Sequence, residues 1–175
     1  MKRWTLGLFL IALTGCAANA EDPSYVIATL DGETITMEDY FFRYTDPSMI
    51  EEYLKERVMI KEAEDLGITV SEDEVNASRQ MLFPDSDAEE RLAFWEDRAF
   101  IDEQAERLDM DELAYFKEWE EKMYRSQLFV DAYVEEVFGG FPEDTDEMQA
   151  LGEEIDAHID TLFDTYQEEY RLEME

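Results

Sequence analysis

The spacing of apolar residues changes several times along this chain, and each change marks an element. An apolar run at residues 4–13 leads into Leu13-Thr14-Gly15-Cys16. It falls short of the roughly 20 apolar residues that cross a bilayer. β-Branched and aromatic residues then dominate residues 25–30, and a second short run, Thr34-Ile35-Thr36, follows Asp31-Gly32. Asp-Gly between two β-prone runs predicts a hairpin with a tight two-residue turn. Thr36 and Asp39 read as a capping box that opens a short helix toward Tyr44.

Helical spacing governs the rest. Residues 48–66 carry Ile50, Tyr53, Leu54, Val58, Ala63 and Leu66 near one face, with Gly67 placed as the left-handed residue after the last turn. Ser71 and Glu74 cap a third helix, which Pro84 stops after about Leu82. Ser86 and Glu89 open another, predicted to run on through Leu92, Phe94, Trp95, Phe100 and Ile101 toward Leu108. Asp109 and Glu112 repeat the signature before a long helix with Leu113, Phe116, Trp119, Met123, Val130, Val134 and Val137 as its stripe. Gly139-Gly140-Phe141-Pro142 ends it. In the last helix Met148, Leu151, Ile155, Ile159, Leu162 and Tyr166 recur every three or four residues. Tyr170, Leu172 and Met174 then alternate with charged residues, which suits a strand. A lone hairpin is marginal in water, so this closing strand is expected to pair with residues 25–30. The expected fold is mainly α, with a small sheet built from an N-terminal hairpin and a C-terminal strand.

Charge adds a location. Lys2 and Arg3 before the apolar run, and small residues after it, have the anatomy of a secretory signal. The Leu-x-Gly-Cys ending resembles the bacterial lipobox. That resemblance implies cleavage between Gly15 and Cys16 and a diacylglyceryl group on the Cys16 sulfur. Residues 1–15 are then the signal peptide, 16–24 a lipidated tether and 25–175 a single domain held outside the cytoplasm at the membrane of a bacterium. Two or three acyl chains anchor a protein stably where one does not. Cys16 is the only cysteine, so no disulfide is expected and the core alone must hold the fold.

The chain carries 47 acidic against 14 basic residues, a net charge of −33 that becomes −35 once Lys2 and Arg3 are removed. Such a surface repels phosphate backbones and excludes nucleic acid as a partner. The acids are spread over nearly every helical segment, which favours adaptation to high salt over a ligand-binding patch. Abundant Phe, Tyr, Trp, Leu and Ile argue against disorder.

A family resemblance rests on particular residues. The strand–turn–strand sequence Val26-Ile27-Ala28-Thr29-Leu30-Asp31-Gly32-Glu33-Thr34-Ile35-Thr36 is similar to the opening of the N-terminal domain of SurA-type and PrsA-type extracytoplasmic foldases. So are the helix at residues 51–63, the turn Leu66-Gly67-Ile68-Thr69-Val70 and the helix start Ser71-Glu72-Asp73-Glu74-Val75. More loosely, residues 108–137 resemble that family's long helix and residues 170–175 its closing strand. Isomerase-active members insert a parvulin domain of roughly a hundred residues between the long and final helices. Here that gap holds only residues 139–146. The resemblance therefore implies the helical chaperone module without the enzyme, cradling unfolded or secreted polypeptides against an apolar groove. A scaffold lipoprotein with one fixed partner is the alternative.

Chemistry in the residues points the same way. Cys16 and the single histidine, His158, offer no nucleophile–base pair once Cys16 is acylated. His158 reads as a surface residue on the polar flank of the last helix. Glu154 and His158 are spaced i,i+4, but two ligands do not make a metal site. Asp85-Ser86-Asp87-Ala88-Glu89 begins like a calcium loop, yet Glu90 stands where the turn needs Gly. No cofactor, metal or catalytic residue is expected. Among the aromatics most read as core, and Phe94, Trp95 and Tyr115, off the main stripe, are the candidates for contact with a client.

Overall fold

A computed structural model describes residues 22–95 and 98–174. Asp31 and Gly32 form the hairpin turn with φ of 48° and 84°, the left-handed pair that a tight two-residue turn requires. They join β1 (Val26–Leu30) to β2 (Glu33–Thr36) in an antiparallel ladder with an irregularity between Val26 and Ala28. The closing strand β3 (Leu172–Met174) pairs antiparallel with the other edge of β1, Leu30 opposite Leu172 and Ala28 opposite Met174. The sheet order is β2-β1-β3, so the expected closure by the tail is found. The strand is shorter than its pattern suggested. Tyr170 sits at φ 57° just past the last helix, where Arg171 N–H returns to the Tyr166 carbonyl, and is exposed.

Seven helices lie among the described residues: α1 (Met37–Phe41), α2 (Ile50–Asp65), α3 (Glu72–Leu82), α4 (Ala88–Phe94), α5 (Arg98–Arg107), α6 (Glu112–Phe138) and α7 (Thr145–Glu168). Two of the four capping signatures read from the sequence are formed: Thr36 with Asp39 at α1 and Ser71 with Glu74 at α3. A 3-10 turn at Pro47–Met49, capped by the Asp46 side chain, leads into α2. Two later boundaries differ from expectation. Asp87, with Glu90, caps α4, while the Ser86 hydroxyl donates to the Phe83 carbonyl. Asp111 caps α6, and Asp109 instead takes a left-handed φ of 52° at the end of α5. The single helix predicted from Ser86 to Leu108 is two, because Trp95 leaves helical geometry with ψ 119°.

Three apolar clusters fill the interior. The first joins the sheet to α1, the start of α2 and the end of α7, through Leu30, Ile35, Tyr40, Leu54, Phe163 and Leu172. The second packs α4 and α5 on the first half of α6 through Leu92, Ile101, Phe116 and Trp119. The third seals α2 against the second half of α6 through Met59, Ile60, Phe129 and Tyr133. Helix α6, about 40 Å long at 1.5 Å per residue, runs through the last two. Because it has neighbours on several sides, its buried face is wider than the expected stripe. Tyr115, Glu120, Tyr124, Phe129 and Tyr133 are buried, while Val137 is exposed.

Arg171 ties the sheet to α2. It donates to Asp31 through Nε at 3.0 Å and Nη2 at 2.6 Å, reaches Asp65 at 2.5 Å, and lies 3.9 Å over the Tyr166 ring. Hydrogen bonds from Arg171 hold the Asp31 carboxyl below its usual range, and bonds from Lys61 and then Arg171 do the same for Asp65. Lowered carboxylate values stabilise the fold above the ordinary carboxylate value of 3.8 and cease to do so as pH falls below it. Arg171→Met is therefore expected to lower stability at pH 7, with the gap from wild type closing as pH drops below 3.8 toward 2; denaturant titrations across that range measure it. Leu172→Ala, which empties a buried position at the sheet closure, is expected to cost about 2–4 kcal/mol in the same assay.

Candidate functional site

Residues expected to face a client are placed very differently from one another. Phe94 ends α4 with 78% of its surface exposed. Trp95 is half-buried, its ring 4.8 Å from that of Trp119 and edge-on to it. Tyr115 is fully buried, stacked on Phe42 at 5.4 Å with its hydroxyl donating to the Phe41 carbonyl at 3.3 Å. Tyr115 is thus core and not groove surface, because α5 and Phe42 cover the face that a single stripe would have left open. Burial pushes its hydroxyl pKa up. Gly15 and Cys16 lie outside the described residues. Other apolar side chains are exposed at the end of α3: Met81, of a residue type common both at adaptable surfaces and in cores, is 77% exposed, and Leu82, which carried no sequence signal, is 63% exposed.

The short helices bearing this surface are fixed by charge. Arg91 of α4 grips Glu120 of α6 with Nε and Nη2, each at 2.7 Å from a different carboxylate oxygen, and gives Nη1 to the Ser86 carbonyl at 2.7 Å. Arg79 of α3 brings Nε to 3.1 Å of the same carboxylate. Arg91 and Glu120 are both buried, and the hydrogen bonds to Glu120 raise the guanidinium's pKa still further. Residues 29 and 41 positions apart carry no local sequence signal for such a triad.

A second feature is a groove between α2 and α6. Two adjoining cavities, of about 140 and 470 Å³, share Arg43 and Glu56, whose ion pair spans 3.0 Å. Phe42, Tyr53 and Met123 line the smaller, and Met59, Val130 and Ile159 the larger, which α7 closes with Asp156 and Asp160. Lys55 crosses from α2 to Asp160 at 2.8 Å. That bond, foremost, raises the pKa of its ammonium.

His158 is not the free surface residue expected. It is half-buried, shares a 2.8 Å hydrogen bond with the Tyr133 hydroxyl and meets the Phe138 ring edge-on at 5.3 Å. Asp85 takes a left-handed φ of 58° and Asp87 is spent on the α4 cap. Among the described residues no group of three or more His, Cys, Asp or Glu side chains is arranged to hold a metal, and no helix is long and apolar enough to cross a membrane.

The first half of α7 stands apart. Met148, Leu151 and Ile155 form a stripe at helical spacing outside the three clusters, with Met148 exposed and Leu151 and Ile155 only half-buried. The pattern that looked most like core is thus half-exposed, and only Phe163 and Tyr166 of this helix are buried. No protein-family model, curated protein or solved structure matches this chain.

Removing Glu120 leaves two cations facing a buried gap. Glu120→Ala is expected to cost about 3–5 kcal/mol, the usual result of breaking a buried pair. Replacing all three members together, Arg79→Met and Arg91→Met with Glu120→Leu, is expected to recover most of that loss in equilibrium denaturation.

Proposed function

We propose that this protein is a lipid-anchored, extracytoplasmic chaperone of the SurA N-terminal type that holds unfolded or secreted polypeptides without an isomerase domain. The observation that carries the reading is the set of large apolar side chains left outside an acidic shell, Met81, Leu82 and Phe94, on α3 and α4. Rigid helices present them, and the Arg79–Glu120–Arg91 triad fixes those helices to α6. Adaptable side chains such as Met and Phe suit contact with many sequences. The high surrounding charge keeps the loaded protein soluble. The hairpin, helix and turn motifs at residues 26–75 supply the family side of the argument, and the Leu-Thr-Gly-Cys motif supplies the anchor.

The half-exposed stripe of α7 favours a second reading. Met148, Leu151 and Ile155 on one regular helix suit a single structured partner better than a mixed set of clients. That is the scaffold alternative, and it predicts stoichiometric capture of one membrane-derived protein with no effect on model clients.

Aggregation of a reduced, unfolded secretory protein, followed by light scattering at low and at molar salt, separates the two. Suppression is expected in at least one condition. The double variant Met81→Ser/Phe94→Ser is expected to leave stability within about 0.5 kcal/mol of wild type and to roughly halve the suppression, since exposed apolar anchors dominate such contacts. No suppression by folded protein at either salt concentration removes the holding function. Cys16→Ser is expected to move the protein from the membrane to the soluble extracytoplasmic fraction on cell fractionation; retention in the membrane would count against the anchor.

A further inference from the structure

The smaller cavity of the groove is opposite in sign to the molecule around it. The chain has fourteen Lys and Arg residues and a net charge of −33, yet four of those cations, Arg43, Arg57, Lys122 and Arg125, line this one volume of about 140 Å³. No Lys or Arg occurs at all between Arg125 and Arg171. Two carboxylates share the lining, and both are engaged. Asp39 accepts from the Thr36 hydroxyl and backbone N–H at 2.8 and 2.9 Å, and Glu56 accepts from Arg43 at 3.0 Å.

The cations are engaged to different degrees. Arg125 donates to the Val70 carbonyl at 2.9 Å and to Glu121 at 3.1 Å. Lys122 pairs with Glu118 at 3.2 Å and stands 3.9 Å from the centre of the Phe42 ring. Arg57 is the exception. Its Nη2 comes only to 4.0 Å of Glu33, and its buried Nε–H has no acceptor among the described residues. Buried donors are rarely left unmade, and a guanidinium beside an apolar wall is shaped for a planar anion. Phe42 and Tyr53 supply that wall. Burial holds the Tyr53 hydroxyl protonated, as a donor, well above its usual range.

We propose that this cavity binds the free α-carboxylate at the C-terminal end of a polypeptide, with an apolar terminal side chain against Phe42 and Tyr53. The inference rests on the polypeptide-holding reading and gives it a point of specificity. A chain end can thread between acidic helices to reach a recessed cationic volume. An anionic membrane surface cannot, because the surrounding carboxylates repel it first. Capture of a terminal carboxylate by convergent donors is an established mode of peptide recognition.

The test uses the full chain purified in detergent at low ionic strength. The probes are a fluorescent peptide ending in Val-Phe with a free carboxylate, its C-terminally amidated twin, and inorganic phosphate as competitor. Preference for the free carboxylate of roughly tenfold or more is expected, as for a hydrogen bond to a charged group. Arg57→Met and, separately, the exposed Lys122→Met are expected to remove most of that preference, whereas Lys117→Met, outside the cavity, retains it. Equal affinity for the two peptides overturns the proposal, and so does a preference that survives both cavity variants. Displacement of the peptide by phosphate at concentrations no higher than the peptide itself requires also overturns it. Aggregation assays on the same preparations keep the two readings apart. Suppression without carboxylate preference removes this site alone, and preference without suppression supports the site while removing the general holding function.

Discussion

One buried carboxylate organises half of this molecule. Glu120 lies at 3% exposure on the central helix α6, and two arginines from two other helices converge on it. Neither α3 nor α4 buries much apolar surface of its own. Val75 is the one buried residue of α3, and α4 buries little beyond Ala88 and Leu92. Without the triad both helices would have weak reasons to adopt a fixed position on α6. Desolvating three charges is expensive, and the bidentate geometry at 2.7 Å, with the Ser86 carbonyl taking a further donor, is what makes the arrangement tenable. The exposed apolar side chains Met81, Leu82 and Phe94 are thereby held on a rigid support and not on loose loops.

Directional bonds recur through the apolar interior. Tyr40, Tyr115, Tyr133 and Tyr166 are among its largest fully buried or nearly fully buried side chains, and each hydroxyl has a partner on a different segment: the Asp46 carbonyl, the Phe41 carbonyl, His158 and Glu62. A phenylalanine would fill the same volume. The phenol adds a bond that is satisfied in only one relative placement of two elements, which favours a unique packing over a merely collapsed one. Among the described residues, α6 meets α7 through such a bond, and α7 meets α2 through another.

Local features of the fold were legible, and among the long-range ones the closure of the sheet by the tail was, because a lone hairpin needs a third strand. Asp31-Gly32 announced its turn because few residue pairs accept two left-handed conformations. Thr36 with Asp39 and Ser71 with Glu74 announced their helices because a capping box is a contact within four residues. The α4 boundary was ambiguous for the same local reason: Ser86/Glu89 and Asp87/Glu90 both fit the motif, and only the folded chain selects the second. The break at Trp95 was hidden because Leu92, Phe94, Trp95, Phe100 and Ile101 keep helical spacing across it. Tyr115 was misplaced because a stripe drawn for one neighbour underestimates a helix that has several. The cation-lined cavity could not be seen at all, since Arg43, Arg57, Lys122 and Arg125 come from three separate segments. The smooth periodicity of α7 misled in the opposite direction, as amphipathic spacing says which face is apolar and not whether anything covers it.

The sheet gives the molecule a mechanical character. Strand β1 is bonded along both edges, to β2 on one side and to β3 on the other. A load entering through the segment before Val26 and directed along the strand meets both ladders together, so their hydrogen bonds must yield in shear and not peel open one at a time. Arg171, bridging Asp31 and Asp65, links that same sheet to α2. Tension at this end of the domain is therefore shared with the helical body before any strand can leave, which makes the junction resistant to pulling even though each of its strands is short.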